Sequence, residues 1–178
     1  FYAGTVATEW VRQDPEAAIA WAKSLPDSQR RGALGGALET IAATNPVEAA
    51  GLAMDLEAGK ERSDVVGKIA ESWAETAPKD ALAWAMTLPG EDGESAVNRA
   101  ISGWAEVDAP AAAAFVDEIP ADERSDSQIR EVANRWANQE PAAAAQWLDT
   151  QPDGRGKTDA MGHVVWNWTN ADPQAASA

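Results

Sequence analysis

The feature that most restricts this chain is a repeat. Trp10, Ile41, Trp73, Trp104, Trp136 and Trp168 stand 31, 32, 31, 32 and 32 residues apart. Eleven residues after each of the first five comes a second large apolar residue: Trp21, Leu52, Trp84, Phe115 and Trp147. A period in this range is the mark of a repeat array, and it has to be settled before any short motif is weighed.

All ten prolines obey the same register. One set, Pro15, Pro46, Pro78, Pro110, Pro141 and Pro173, follows the first aromatic position by five residues, or by six at Pro110. The other set, Pro26, Pro89, Pro120 and Pro152, follows it by sixteen, and Glu57 stands at that place in the second repeat. Proline suits the first turn of a helix and breaks an interior, so two prolines per repeat predict two helices per repeat.

The shorter helix of each pair is expected to begin at "DPEAAIAWAKSL" and its sister strings and to end at the second proline. Asp14 and Asn45 are N-cap residues by type. Ala18, Ala49, Ala81, Ala112, Ala144 and Ala176 share one position, where a small residue suits a close helix crossing. The longer helix runs through "SDVVGKIAESWA" and its sisters. Leu34, Val66, Val97, Ile129 and Met161 lie seven residues before the register position, and Leu38, Ile69, Ile101, Val132 and Val164 or Val165 three or four before it. That spacing is an amphipathic helical stripe, and no stretch alternates with a period of two.

The predicted fold class is therefore all-α. About five helical hairpins, at roughly 10–40, 41–72, 73–103, 104–135 and 136–167, stack into a curved, right-handed α-α superhelix over 1–178, with partial repeats at both ends. "FYAGTVATEW" reads as the end of a long helix and "ADPQAASA" as the start of a short one. The expectation is that the natural protein continues at one or both ends.

The junction strings "DPEAAIAW", "APKDALAW" and "EPAAAAQW" resemble the corresponding junction of tetratricopeptide repeats. They are also similar to tryptophan-containing helical repeats of bacterial proteins. The departures are a period of 31 or 32 rather than 34, a second proline, and no Leu-Gly pair after the aromatic residue. The resemblance implies stacked hairpins that bind a peptide or protein. It transfers no binding residue.

Charge narrows the partner. Lys+Arg 14 against Asp+Glu 29 gives a net charge of −15, which repels nucleic acid and anionic lipid and mildly favours a cationic peptide or protein, with an uncharged ligand also open; a strongly acidic surface is also a plain solubility device. No apolar run approaches the length of a membrane span, so no membrane insertion is expected. The absence of cysteine excludes disulfides, thiolate zinc sites and a cysteine nucleophile, and says nothing of compartment.

Four motifs suggest chemistry and each has a plainer account. "QPDGRGKT" (151–158) carries Gly156, Lys157 and Thr158 of a phosphate loop but has Gln151 where glycine is required and a helix before it, so its glycines read as turn residues. His163, the single histidine, has no cysteine or second histidine beside which to bind zinc, and reads as a structural or surface residue. "GEDGES" and "ADERSD" lack the ligand spacing of a calcium loop and read as acids favouring a helix N-terminus. Arg30, Arg31, Arg62, Arg124, Arg155 and Lys157 recur near the start of the long helix and read as answering acids of neighbouring repeats.

The nine tryptophans occupy places that also accept Ile41, Leu52 and Phe115, so the requirement is apolar bulk and the rings read as packing. Trp166 alone lies outside the register and is expected to be exposed. The expectation for function is a non-enzymatic scaffold binding a peptide or protein, with no catalytic, cofactor-binding or metal residues and no cofactor. The alternatives are a carbohydrate-binding or glycoside-processing helical protein, for which no acid is singled out, and a structural spacer of a larger protein.

Overall fold

The computed structural model describes residues 2–171. Among these residues there are eleven α-helices and no strand: α1 (Tyr2–Val11), α2 (Pro15–Ser24), α3 (Asp27–Ala42), α4 (Pro46–Met54), α5 (Lys60–Ala74), α6 (Pro78–Ala85), α7 (Gly90–Val107), α8 (Ala109–Glu118), α9 (Asp126–Gln139), α10 (Pro141–Thr150) and α11 (Arg155–Ala171). The all-α reading holds. Even-numbered helices are the short ones and odd-numbered helices, after α1, the long ones.

The chain divides into two compact units, Phe1–Ala100 and Ile101–Ala178, the division falling within α7. In the first unit α1 packs on α3 and α3 on α5, with α2 against α1 and α3, α4 against α3 and α5, and α6 against α5. In the second, α9 packs on α11, α10 on both, and α8 on α9. Both units thus join long helix to long helix and seat each short helix beside them.

Short-helix starts follow from the caps. Asp14 accepts from Ala17 N at 3.0 Å, Asn45 from Glu48 N at 3.2 Å, and Asp108 from Ala111 N at 3.0 Å. Together with Ala77 and Glu140 these caps share one conformation, φ −140 to −150° and ψ 70 to 92°. The six-residue offset of Pro110 is explained here. Asp108 keeps the cap in register, Ala109 takes the first helical place, and the proline moves one residue inward.

The second proline set needs correction as a terminator. Helices α2, α8 and α10 stop two residues before Pro26, Pro120 and Pro152, as the steric demand of proline on its predecessor requires. But α6 stops at Ala85, four residues short of Pro89, and α4 stops at Met54 with no proline nearby. A hydroxyl three residues after the aromatic position offers a local alternative: Ser24 donates to Trp21 O at 2.7 Å, Thr87 to Trp84 O at 2.6 Å and Thr150 to Trp147 O at 2.6 Å. Such bonds compete with continuation of the helix.

The core is built largely of alanine. Ala18, Ala49, Ala81, Ala112 and Ala144 are all fully buried, while Ala176 lies outside the described residues. Leu38, Ile69, Ile101, Val132 and Val164 are fully buried, which resolves the choice between Val164 and Val165. Leu34, Val66 and Ile129 are buried too, but Val97 and Met161, expected in the same stripe, are only half-buried. In α7 the burial has passed to Ala96 and Ala100 instead.

The recurrent rings meet within the four repeats that carry them. Trp10 and Trp21, Trp73 and Trp84, Trp104 and Phe115, and Trp136 and Trp147 have centroids 5.9, 5.8, 5.7 and 6.2 Å apart and planes tilted by 38 to 50°. This is the favoured tilted geometry for aromatic pairs. Each pair joins the last turn of an odd-numbered helix to the following short helix.

Candidate functional site

The basic row answers acids of the next repeat at two places, Arg30 to Glu61 at 3.5 Å and Arg62 to Asp92 at 2.6 Å, and also reaches helix-end carbonyls. Arg124 donates to Asp117 O at 2.9 Å and to Ile119 O at 2.9 and 3.2 Å, at the end of α8. Lys157 donates to Asp149 O at 3.3 Å and Gln151 O at 3.1 Å, at the end of α10, and to Asp153 at 3.2 Å. Arg62 reaches Leu56 O at 3.3 Å, just past α4. A cation at the carbonyl end of a helix satisfies orphan acceptors and complements the dipole. Arg31 and Arg155 are exposed.

This disposes of the phosphate-loop string on geometric grounds. Lys157 is occupied by carbonyls, and Thr158 donates to Gly154 O at 2.9 Å. Gly156 is not a turn residue, as its string suggested, but lies in α11, where an added Cβ would stand 2.6 Å from Asp126 O. The glycine answers a close backbone approach.

The acidic strings also resolve. Glu91 and Asp92 do stand in the first turn of α7, yet Asp92 is buried, taking Ser63 Oγ at 2.6 Å and the Arg62 guanidinium at 2.6 and 2.8 Å. Its work is a partly buried ion pair between α5 and α7. Glu123 and Asp122 are exposed. Among the described residues no group of three or more His, Asp or Glu side chains is placed to hold a metal ion, and no helix is long and apolar enough to cross a membrane. His163 is exposed, with its ring 6.5 Å from that of Trp166 and its Nε2 3.2 Å from Asn167 Nδ2.

What remains is the repeat that departs from its sisters. In 41–72 the aromatic pair is replaced by Ile41 and Leu52, the second proline by Glu57, and Gly59, with φ 145°, leads into α5 in place of a proline-led turn. Only glycine adopts that backbone readily. Both clefts described below lie against this repeat.

The first cleft, about 270 Å³, sits where α4 turns into α5. Leu34 and Leu56 supply its apolar lining, and Asp55, Glu57 and Glu61 its carboxylates, against Lys23 and Arg30. Arg30 is already held by Asp27 at 2.7 Å and lies 3.5 Å from Glu61 Oε1. That oxygen is buried and takes no hydrogen bond. A buried acceptor left in this state carries a desolvation penalty that an incoming donor would relieve.

The second cleft, about 620 Å³, lies at the opposite corner, lined by the ends of α1 and α3 and the start of α4. Two of its three hydroxyls are engaged: Thr40 donates to Gly36 O at 2.7 Å and Thr44 to Ile41 O at 3.1 Å, and Thr8 supplies the third. Its charged residues, Arg12 and Glu48, pair with Glu9 and Asn45. Both of its charged side chains have protein partners.

Glu57 was visible as the one break in the second proline set; the unmet oxygen of Glu61 was not, because it depends on how Arg30 is shared. No protein-family model, no curated protein and no solved structure matches the chain.

Proposed function

We propose that this chain is a non-enzymatic scaffold, an α-solenoid of tetratricopeptide-like hairpins that binds a cationic peptide or protein segment. The observation that carries this reading is the cleft at the α4–α5 corner, with Asp55, Glu57 and Glu61 around a leucine lining and one buried carboxylate oxygen that makes no hydrogen bond and has only the ion pair to Arg30 at 3.5 Å. An arginine or lysine side chain fits such a place. Its methylenes lie along Leu34 and Leu56 while its head supplies the missing donor.

Charge supports the same choice. At a net −15 the chain attracts cations before any contact forms, so binding should be faster at low salt. The carbohydrate reading draws less support, because seven of the nine tryptophans pack in the four intra-repeat pairs, where Trp104 and Trp147 are buried and Trp10 alone of the seven is exposed.

The test is a peptide array varied in Lys and Arg content, followed by calorimetric titration of the best sequence. The expected result is saturable binding at about micromolar Kd that weakens roughly tenfold in Glu61→Gln and in a Glu57→Pro variant that restores the sister residue. Binding that ignores both variants would move the site elsewhere. The lack of any saturable peptide would remove the reading.

A further inference from the structure

Two corners of the chain share one backbone and place the same side chain differently. Leu25 and Ile119 follow the short helices α2 and α8 at φ −75°, ψ 154° and φ −72°, ψ 130°, and a proline comes next in each. Pro26 O accepts from Gln29 N at 2.8 Å and Arg30 N at 2.9 Å; Pro120 O accepts from Glu123 N at 2.9 Å and Arg124 N at 3.0 Å. Arg30 and Arg124 therefore leave the same turn at the same place.

Their guanidinium groups diverge. Arg124 folds back on the end of α8, giving Nε and Nη2 to Ile119 O at 3.2 and 2.9 Å, with Nη1 3.3 Å from Asp117. Arg30 has the matching acceptor in Leu25 O, but among the described residues no side chain donates to that oxygen. Instead its Nη2 is 2.7 Å from Asp27, and its Nε is 3.5 Å from Glu61 Oε1.

Two residues account for the difference. Lys23 stands three before Pro26, where Asp117 stands three before Pro120, so an attraction toward the helix end becomes a repulsion. Asp27 directly follows Pro26, where Ala121 follows Pro120, and it supplies the competing carboxylate.

The next repeat shows the pairing when it is settled. Arg62, eleven before its register position as Arg30 is, holds Asp92 at 2.6 and 2.8 Å and still reaches Leu56 O at 3.3 Å. Glu61 stands where Asp92 does, twelve before the register, but its buried oxygen takes no hydrogen bond from Arg30. Arg30 is thus beside the oxygen without satisfying it, and a bonded place stands vacant at the end of α2.

We propose that Arg30 is the cleft's resident cation, which an incoming arginine or lysine displaces from Glu61, and that the displaced guanidinium caps α2 at Leu25 O as Arg124 caps α8. The inference rests on the reading of the cleft as a cation site. Leaving is easy for Arg30: it gives up no hydrogen bond to Glu61, its other partner Asp27 is 89% exposed and well screened, and it gains a charge-assisted bond at a helix end. Arg30 then sets the affinity. If it fills the place in about nine of ten free molecules, the observed Kd lies about tenfold above that of the vacated cleft.

The experiment is calorimetric titration of a blocked hexa-arginine peptide, at about 0.15 M salt, into wild type, Arg30→Gln and Arg31→Gln. Arg31 is exposed and adjacent, so its variant removes the same charge without vacating the cleft. Arg30→Gln is expected to bind about tenfold tighter and Arg31→Gln less than about twofold tighter. In wild type the Arg30 Hε proton should exchange quickly when free and, at peptide saturation, slow toward the rate of Arg124 Hε. Circular dichroism checks the fold; if Arg30→Gln loses helix, Arg30→Met, which keeps the apolar stem, replaces it. Equal tightening in the two variants, no tightening in Arg30→Gln, or an Arg30 Hε that ignores the peptide would overturn the proposal and leave cation binding intact. No saturable binding in wild type and Arg30→Gln alike would remove the cation-site reading, and this inference with it.

Discussion

Replacing the ring at two equivalent positions separates packing from hydrogen bonding. Trp84 is half-buried and pairs with Trp73 at 5.8 Å; Trp147 is 8% exposed, pairs with Trp136 at 6.2 Å, and also donates its Nε1 to Asp117 at 3.0 Å. Removing a buried aromatic ring costs about 3 to 5 kcal/mol, so Trp84→Ala, where part of the ring already meets water, should fall just below that range, at about 2 to 3 kcal/mol. Trp84→Phe keeps an aromatic partner for Trp73, in the place where Phe115 serves a sister repeat, and should cost less than about 1.5 kcal/mol. Trp147→Phe loses the same part of a ring and a charge-assisted bond as well. Asp117 keeps Gln151 at 2.9 Å and Arg124 at 3.3 Å, and its side chain is 43% exposed, so the extra loss should be about 1 kcal/mol rather than the upper value for such bonds. Urea unfolding followed at the helical circular-dichroism band measures all three. Equal losses for Trp84→Phe and Trp84→Ala would refute the claim that bulk is the requirement, and equal losses for the two Phe variants would show the Asp117 bond to be inert.

Other substitutions follow from the same geometry. Asp92→Ala strands the Arg62 guanidinium and the Ser63 hydroxyl between α5 and α7, and should cost about 3 kcal/mol in a urea titration; a loss under about 1 kcal/mol would mean that water replaces the carboxylate freely. Gly156→Ala pushes a methyl into the backbone of Asp126 and should destabilise by about 1 to 3 kcal/mol. Gly162→Ala, in the same helix with open space around it, should stabilise by about 0.5 to 1 kcal/mol, and thermal melts of the two should move in opposite directions. Ala77 has the cap conformation of Asn45 without a cap side chain, so Ala77→Asp should raise stability by about 0.5 to 1 kcal/mol; no gain would mean that the extended conformation alone does not place a carboxylate on the amides of α6.

Helix number, the proline-led starts and the aromatic pairs were legible because each rests on a local rule repeated in register. Asp14 and Asn45 were recognisable caps for the same reason, and Asp108 was hidden only by the shift of Pro110. The ends of α4 and α6 were not legible, since Met54 and Ala85 lie short of any proline and a side-chain hydroxyl does the work at Thr87. Asp92 was taken for a dipole acid because burial between two helices leaves no mark in a string such as "GEDGES". The candidate cleft was half legible: Glu57 breaks a pattern and can be seen, whereas the unmet oxygen of Glu61 arises from a contest among Asp27, Glu61 and Arg30 that only coordinates settle.

The central claim is that the departing repeat, 41–72, carries the binding site for a cationic segment. Amide chemical-shift mapping of the labelled chain, titrated with the best arginine- or lysine-containing peptide, tests it most directly. The account predicts saturating shifts concentrated around Lys23, Arg30, Leu34 and Asp55 to Glu61, reduced to background in Glu61→Gln. Shifts spread evenly over the acidic surface, or gathered on other repeats and unchanged in that variant, would contradict it.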